Sequence, residues 1–328
     1  MATVTNANVV GPNGIIENAS IVVEDGMIES VTSRGSASDE GEIIDAAGCT
    51  IFPGFIDVHI HGAVGVDVNE ADADGLVEIA AFLAKNGVTA WMPTLVPDSD
   101  ENYARVISAI EKTIGLQSDR PIAQAVGVHY EGVFANEKMC GALRPEFFRR
   151  FAVEDAENHP VGETPTPLLR KEGSLAALGL ELPRLLNGVH MTTYAPEIDG
   201  GIDLTKELVK QGWIAFIGHT KAPVEILDAA FAAGARHVTH FFNAMTGLHH
   251  RDVGVVGWAL SNRDVTFDII ADGMHVNPKM VELAVRTKSP DKVTLISDSV
   301  APTGLGDGVF EIWGEKVSVS GRRTQNER

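Results

Sequence analysis

Hydrophobic and polar positions change rhythm near residue 53 of the 328-residue chain. Before that point, alternating runs at Thr3 to Val10, Ile21 to Glu24 and Met27 to Val31 are separated by the turn signals Gly11-Pro12-Asn13-Gly14 and Asp25-Gly26. This pattern predicts a small antiparallel β unit. Beyond it, apolar β-rich runs alternate with helical spacing. Leu76, Ile79, Ala80 and Leu83 fall at i, i+3, i+4 and i+7, the stripe of an amphipathic helix, and Asn86-Gly87 supplies a stop. The same punctuation returns at Gly212 before Trp213 to His219 and at Gly234 before His237 to Phe241, since a glycine there can take the left-handed conformation that ends a helix.

Eight strands are expected, at 54–60, 88–94, 122–130, 188–193, 213–218, 236–241, 265–271 and 293–298. Eight such units fit an α/β fold of the closed (β/α)8 TIM-barrel type better than an open doubly wound sheet. The expected division is a β unit at 1–52, a barrel at 53–305, and a segment at 306–328 that begins a return to the β unit. In that last segment the strand-like runs Val309 to Trp313 and Lys316 to Ser320 lead into a polar string. No helix pattern follows the eighth strand, so the chain is expected to stop before its fold is complete.

Composition narrows the picture. With 44% hydrophobic and 22% charged residues there is enough apolar material for a large core. A formal charge of −19, with no basic run to offset it, argues against nucleic acid or an anionic membrane surface as partner. An anionic small substrate would need a local basic pocket. Cys49 and Cys140 are the only cysteines and lie far apart, so no disulfide framework is expected. The amino terminus lacks a signal-peptide pattern and no apolar stretch is long enough to span a bilayer, which reads as cytoplasmic. No glycine-rich phosphate fingerprint follows any strand, so a nucleotide cofactor is not indicated.

The candidate chemistry sits at strand ends. His59, His61, Glu131, His219, His240 and Asp298 each stand where an apolar run gives way to a loop. In a parallel barrel all strands end on one face, so these positions converge. His59 and His61 are alternate residues of one strand and can point two imidazoles at one ion. Glu131 ends an apolar strand, a costly place for a carboxylate unless it is paired or metal-bound. Imidazole and carboxylate without thiolate suit a hydrolytic site holding one or two divalent ions, Zn²⁺ or Fe²⁺ first, Mn²⁺ or Co²⁺ next. Such an ion makes hydroxide available near neutrality, and Asp298 can serve as general base and later acid. His250-Arg251, in the sixth strand-to-helix loop, is a candidate anion clamp, because the arginine fork matches phosphate. His159, His190, His237 and His249 read as structural. Cys140 has no assignable base and is set aside as a nucleophile.

Pro53 to Gly62 resembles the opening metal motif of the amidohydrolase superfamily. Four further segments, His129 to Ala142, His240 to Arg251, Ile270 to His275 and Ser297 to Gly304, are similar to those of the N-acetylglucosamine-6-phosphate deacetylases, and the likeness runs from about residue 50 to 310. It implies a barrel with a small β-sandwich made by both chain ends, commonly as a homodimer. By the resemblance, Glu131, His219 and His240 bind the principal metal and Asp298 is the acid/base. The substrate, an anionic sugar phosphate, would meet Ala142 and the following residue, Asn243, Ala244, His250 and the segment Asp272, Gly273, Met274 and His275, with Arg251 and His275 near the phosphate. Some family members replace the first histidine pair and keep one metal; this chain retains both. The fourth strand, at 188–193, carries no lysine, in keeping with a family that uses Glu131 instead of a carboxylated lysine.

Two departures stand out. Many members carry a carbonyl-polarising histidine after Gly141-Ala142, where this chain has Leu143, which cannot donate a hydrogen bond. Either a second metal or Arg144 takes over, or the preferred substrate differs. Family members also continue beyond a segment like Gly321 to Arg328 into further elements. The leading expectation is hydrolysis of the acetamide of N-acetylglucosamine 6-phosphate. Alternatives are another N-acyl amino sugar phosphate, such as N-acetylgalactosamine 6-phosphate, or a non-catalytic metal-binding sensor or scaffold.

Overall fold

A computed structural model describes residues 1–33, 41–152, 176–178, 182–321 and 323–326. Contacts divide the chain into two units, Met1–Phe55 and Ile56–Arg328.

The first unit is a mixed five-stranded sheet. Ala2–Gly11, Gly14–Glu24 and Met27–Ser33 form an antiparallel meander, and Glu42–Asp45 and Thr50–Ile51 pair with the first strand in parallel. The expected antiparallel unit is thus extended by two short parallel additions. At the second turn Asp25 and Gly26 both have positive φ, 48° and 76°, which gives the hairpin the twist of its strands.

The second unit is the barrel. Its eight strands are Phe55–Ile60, Val88–Leu95, Gly127–Phe134, Val189–Tyr194, Ile214–Ile217, His237–Val238, Thr266–Ile270 and Val293–Ile296. Each is hydrogen-bonded to the next in chain order, and the pairings from the second strand through the eighth are all parallel. Ile60 and Ser299 form a parallel bridge between the two ends of the series. All eight expected strands are present. The third is interrupted at Val126, with Gln124–Ala125 pairing separately to the second strand, and the sixth shrinks to two residues.

Helices Ala73–Lys85, Asp100–Leu116, Gly201–Lys210, Val224–Ala233, Gly254–Ser261 and Pro278–Lys288 follow strands one, two, four, five, six and seven. The first buries Leu76, Ile79, Ala80 and Leu83; Asp72 caps its start by accepting the Gly75 N–H, and Gly87 follows its end at φ 83°. These residues belong to one apolar core that includes the fully buried Trp91, Tyr103, Tyr130, Phe134, Tyr194, Phe241 and Phe267. Among the described residues no helix follows the eighth strand, and Leu295 on that strand is 56% exposed. The chain instead continues into a separate three-stranded antiparallel sheet, Gly308–Ile312, Glu315–Ser320 and Arg323–Asn326. No helix among the described residues is long and apolar enough to cross a membrane.

The first helix tests the register. Leu76 is wholly buried, so Leu76→Ala should cost about 2–5 kcal/mol in urea unfolding followed by circular dichroism. Glu78, on the exposed face of the same helix, should give a change within about 0.5 kcal/mol when replaced by alanine. Equal costs at the two positions would contradict the packing described.

Candidate metal centre

Alternation along the strands builds the site from the barrel floor upward. Asp57, His59 and His61 occupy every second position of the first strand and its end, and all three are buried; His129 and Glu131 do the same on the third. His219, His240 and Asp298 each stand two residues beyond the last residue of their strand, Ile217, Val238 and Ile296. All three have positive φ, 48°, 32° and 49°. Non-glycine residues pay about 1–3 kcal/mol for such conformations and gather at functional sites. The glycine before His219 has a packing reason, since a Cβ on Gly218 would lie 2.5 Å from the Thr193 methyl.

The six side chains meet. His59, His61 and Asp298 form one group of potential ligand atoms and Glu131, His219 and His240 a second, with the atoms of each within 4.8 Å of one another. Glu131 Oε1 is 3.1 Å from Nε2 of both His219 and His240 and 3.2 Å from His59 Nε2, while its Oε2 is 3.1 Å from His61 Nε2. Asp298 Oδ1 lies 3.5 Å from His59 Nε2 and 3.3 Å from His61 Nε2. The imidazole nitrogens approach to 3.1 Å within the first pair and 2.9 Å within the second. Tetrahedral ligands at the usual 2.0–2.1 Å from zinc are about 3.3–3.4 Å apart, so these spacings are of the size an ion requires.

Two of the four outward ring nitrogens fit the same reading, while Nδ1 of His59 and of His240 are buried without a hydrogen-bond partner among the described residues. Nδ1 of His219 is 2.8 Å from the Met139 carbonyl oxygen, and Nδ1 of His61 is 3.2 Å from that of Thr94. A carbonyl accepts only, so each Nδ1 carries a hydrogen, and Nε2 is the nitrogen whose lone pair an ion would take in place of a proton. The donor set therefore suits one or two divalent ions per chain, with Glu131 facing both groups.

Electrostatics agree. Burial opposes charge on both rings, yet hydrogen bonds to Asp298 and Glu131 push His61 up to about 10, and one to Glu131 pushes His240 up to about 9. Against burial, the surrounding histidines hold Glu131 and Asp298 well below the carboxylate range. Protons and a metal ion compete for the same lone pairs. His129 behaves differently: burial and the neighbouring His59 push it well below its usual value, and its Nε2 pairs with Thr193 Oγ1 at 2.8 Å.

Several residues beyond the expected set hold the ligands. Asp268, fully buried on the seventh strand, accepts the backbone N–H of His240 and faces His237 Nε2 at 3.0 Å. Asp57 accepts the N–H groups of His59 and Ser297, tying strand one to strand eight. A lone carboxylate inside each apolar strand was the available signal. Trp313, from the C-terminal sheet, sets its ring edge-to-face on His61 at 5.3 Å and donates its indole N–H to Asp67 at 2.9 Å. Nothing in the local sequence marks it.

The expected substrate residues lie on loops after strands three, six and seven. Ala142 is exposed, whereas Leu143 is 2% exposed and packs in an apolar cluster with Val96, Ala135, Phe148 and Trp313. Arg144 is already engaged, donating to the Pro97 carbonyl at 2.9 Å and to Asp98 at 2.7 Å, so it is not positioned as the substitute donor. Asn243 is half-buried and donates to the His240 carbonyl, and Ala244 has φ 49°. His250 and Arg251 are exposed and hydrogen-bonded to each other. Asp272 accepts the N–H groups of Met274 and His275 and the His275 ring at 2.8 Å, with Gly273 at φ 78°. His190 accepts the Leu185 N–H, His237 lies between Thr266 and Asp268, and His249 accepts N–H groups of Arg251 and Asp252, all consistent with structural roles. His159 lies outside the described residues. Cys49 and Cys140 are both free thiols.

Comparison with known proteins bears on this centre. No protein-family model matches the chain. N-acetylglucosamine-6-phosphate deacetylase of Bacillus subtilis (strain 168) is 34% identical over 316 residues, covering 96% of this chain and 74% of that protein. N-acetylgalactosamine-6-phosphate deacetylase of Escherichia coli O157:H7 is 32% identical over 271 residues, covering 82% and 65%. The solved structure of N-acetyl-D-glucosamine-6-phosphate deacetylase from Mycobacterium smegmatis superposes with a TM-score of 0.79 at 27% identity, covering all of this chain and 79% of that one. The chain thus spans between about two thirds and four fifths of these proteins. Ligand set, barrel and relatives agree, and the chain belongs to the N-acetylglucosamine-6-phosphate deacetylase family of the amidohydrolase superfamily.

Proposed function

We propose that the chain hydrolyses the acetamide of N-acetylglucosamine 6-phosphate, giving glucosamine 6-phosphate and acetate. The observation that carries this reading is Asp298, a carboxylate at the rim facing His59 and His61 beside the Glu131 group, in a chain 34% identical to a protein of that name. A divalent ion bound by these residues supplies Lewis acidity toward the carbonyl oxygen and acidity to water. Asp298 takes the proton of the attacking water and returns it to the departing nitrogen, so that amide and water become amine and acetate. Arg251 and His275, with His250 beside them, supply the positive charge for the phosphate. Asn243, Ala244, Ala142 and the Asp272 to Met274 turn line the sugar. The buried Leu143 offers no donor to the carbonyl, and an ion held by Glu131, His219 and His240 or by His59, His61 and Asp298 would supply that polarisation. The galacto epimer is the second reading, favoured by the Escherichia coli relative. A cytoplasmic homodimer is the accompanying proposal, in line with two free thiols.

Protein prepared without chelator and supplemented with zinc should hold up to two ions per chain by elemental analysis. No more than one would remove the two-position account. His61 and His240 keep protons to about pH 10 and pH 9 without metal, so zinc binding at pH 7 should release protons and tighten as pH rises toward 9. Calorimetry in buffers of different ionisation heat measures this, and identical heats would contradict it.

Asp298→Asn keeps the shape but removes the proton acceptor, and turnover should fall at least ~10²-fold with metal largely retained. Near-normal turnover would mean another base. Arg251→Ala should lower kcat/KM for N-acetylglucosamine 6-phosphate by about 10- to 150-fold, the scale of one charge-assisted hydrogen bond, and affect unphosphorylated N-acetylglucosamine little. Equal loss on both substrates would return the assignment to an unspecified N-acyl compound.

A further inference from the structure

The fourth barrel strand, Val189–Tyr194, contributes no metal ligand, yet the loop that leaves it delivers a carboxylate to the back of one. Glu197 accepts three hydrogen bonds. Its Oε1 takes Asn136 Nδ2–H at 2.7 Å and the Lys221 N–H at 2.8 Å, and its Oε2 takes the Thr220 hydroxyl. Both groups of donors lead to His219. Thr220 and Lys221 follow it directly in the chain. Asn136 donates its backbone N–H to the His219 carbonyl at 3.1 Å, and it also opens the short turn Glu137–Met139, accepting the Lys138 N–H on its side chain and the Met139 N–H on its carbonyl. The carbonyl of Met139 is the acceptor for His219 Nδ1–H. One carboxylate therefore anchors the main chain directly after His219 and, through Asn136, the His219 carbonyl and the group that sets the direction of its ring.

His219 needs such support. It stands at φ 48°, which its own side chain disfavours, and its Nε2 has to stay within about 3 Å of both Glu131 and His240. Partners of metal-bound histidines fix ring orientation and tautomer, and their loss weakens metal affinity. We infer that Glu197 is the positioning residue of the Glu131–His219–His240 metal position, the means by which strand four takes part in the centre. The His59–His61–Asp298 position does not share it, since those residues are held by Asp57, Thr94 and the strand-one to strand-eight seam. The inference rests on the metal reading of the ligands and not on the identity of the substrate.

The test measures zinc affinity, by competition with a chromophoric chelator, in a His59→Asn/His61→Asn background that isolates the second position. Glu197→Ala should weaken that affinity by about 10- to 100-fold. Glu197→Gln, which keeps two acceptor sites and the shape, should recover most of the loss. Glu207→Ala, removing a half-buried carboxylate that meets Lys210 and Gln211 at the end of the following helix, should leave it unchanged. With both positions intact, Glu197→Ala should weaken one binding step and spare the other. Unchanged affinity in folded Glu197→Ala would overturn the inference, as would equal weakening of both steps. If Glu197→Ala does not fold, Thr220→Val removes a single donor to the same carboxylate, and affinity equal to the parent would then overturn it. Since no arm reads deacetylation, a wrong substrate leaves this result intact.

Discussion

The seam where strand one meets strand eight is the constraint on which the centre depends. The His61 N–H donates to the Ser299 carbonyl at 2.8 Å and the Asp298 N–H to the His59 carbonyl at 3.0 Å. These backbone bonds join the two ends of the strand series, and they run through three of the six ligand residues. Residues more than two hundred positions apart are thereby set side by side with the accuracy of a β ladder, well beyond what side-chain packing alone would give. Asp57 reinforces the seam from below through the N–H groups of His59 and Ser297.

Around that seam the chain accepts local costs. Three ligand residues sit in left-handed backbone, two carboxylates are drawn into a site of four imidazoles, and Asp268 is buried outright to hold the turn at His240. None of these would persist alone. Together they satisfy one another, since each carboxylate faces imidazoles and each turn has a partner beneath it. A centre of this kind tolerates loss of an inward ligand poorly, because the remaining charge would be left buried without its counterpart.

Much of this was legible in the chain because it is local. The helix Ala73–Lys85 buries the four residues its spacing marks, and Gly87, Gly212 and Gly234 all take positive φ where a helix gives way to a strand. The six ligands were legible because a parallel barrel turns strand ends into neighbours. Other features depend on partners distant in sequence. Glu197 meets Asn136 sixty-one residues away, and Trp313 meets Asp67 two hundred and forty-six away, so neither has a local pattern. The engagement of Arg144, one of the alternatives left open for the role of the missing histidine, has the same origin, because its acceptors at Pro97 and Asp98 come from another loop. The sixth strand keeps two residues of the six its composition suggests, since His240 turns out of the ladder to reach the centre.

Trp313 carries a consequence of its own. Trp91, Trp213 and Trp258 are almost wholly enclosed, at 0%, 3% and 4% exposure, while Trp313 is partly open and rests on the imidazole of His61. Indole emission responds to the charge of an adjacent imidazole and to solvent at the ring. The chain thus contains an optical probe in contact with one metal ligand, able to report the ionisation and occupancy of that side of the centre in real time without a label.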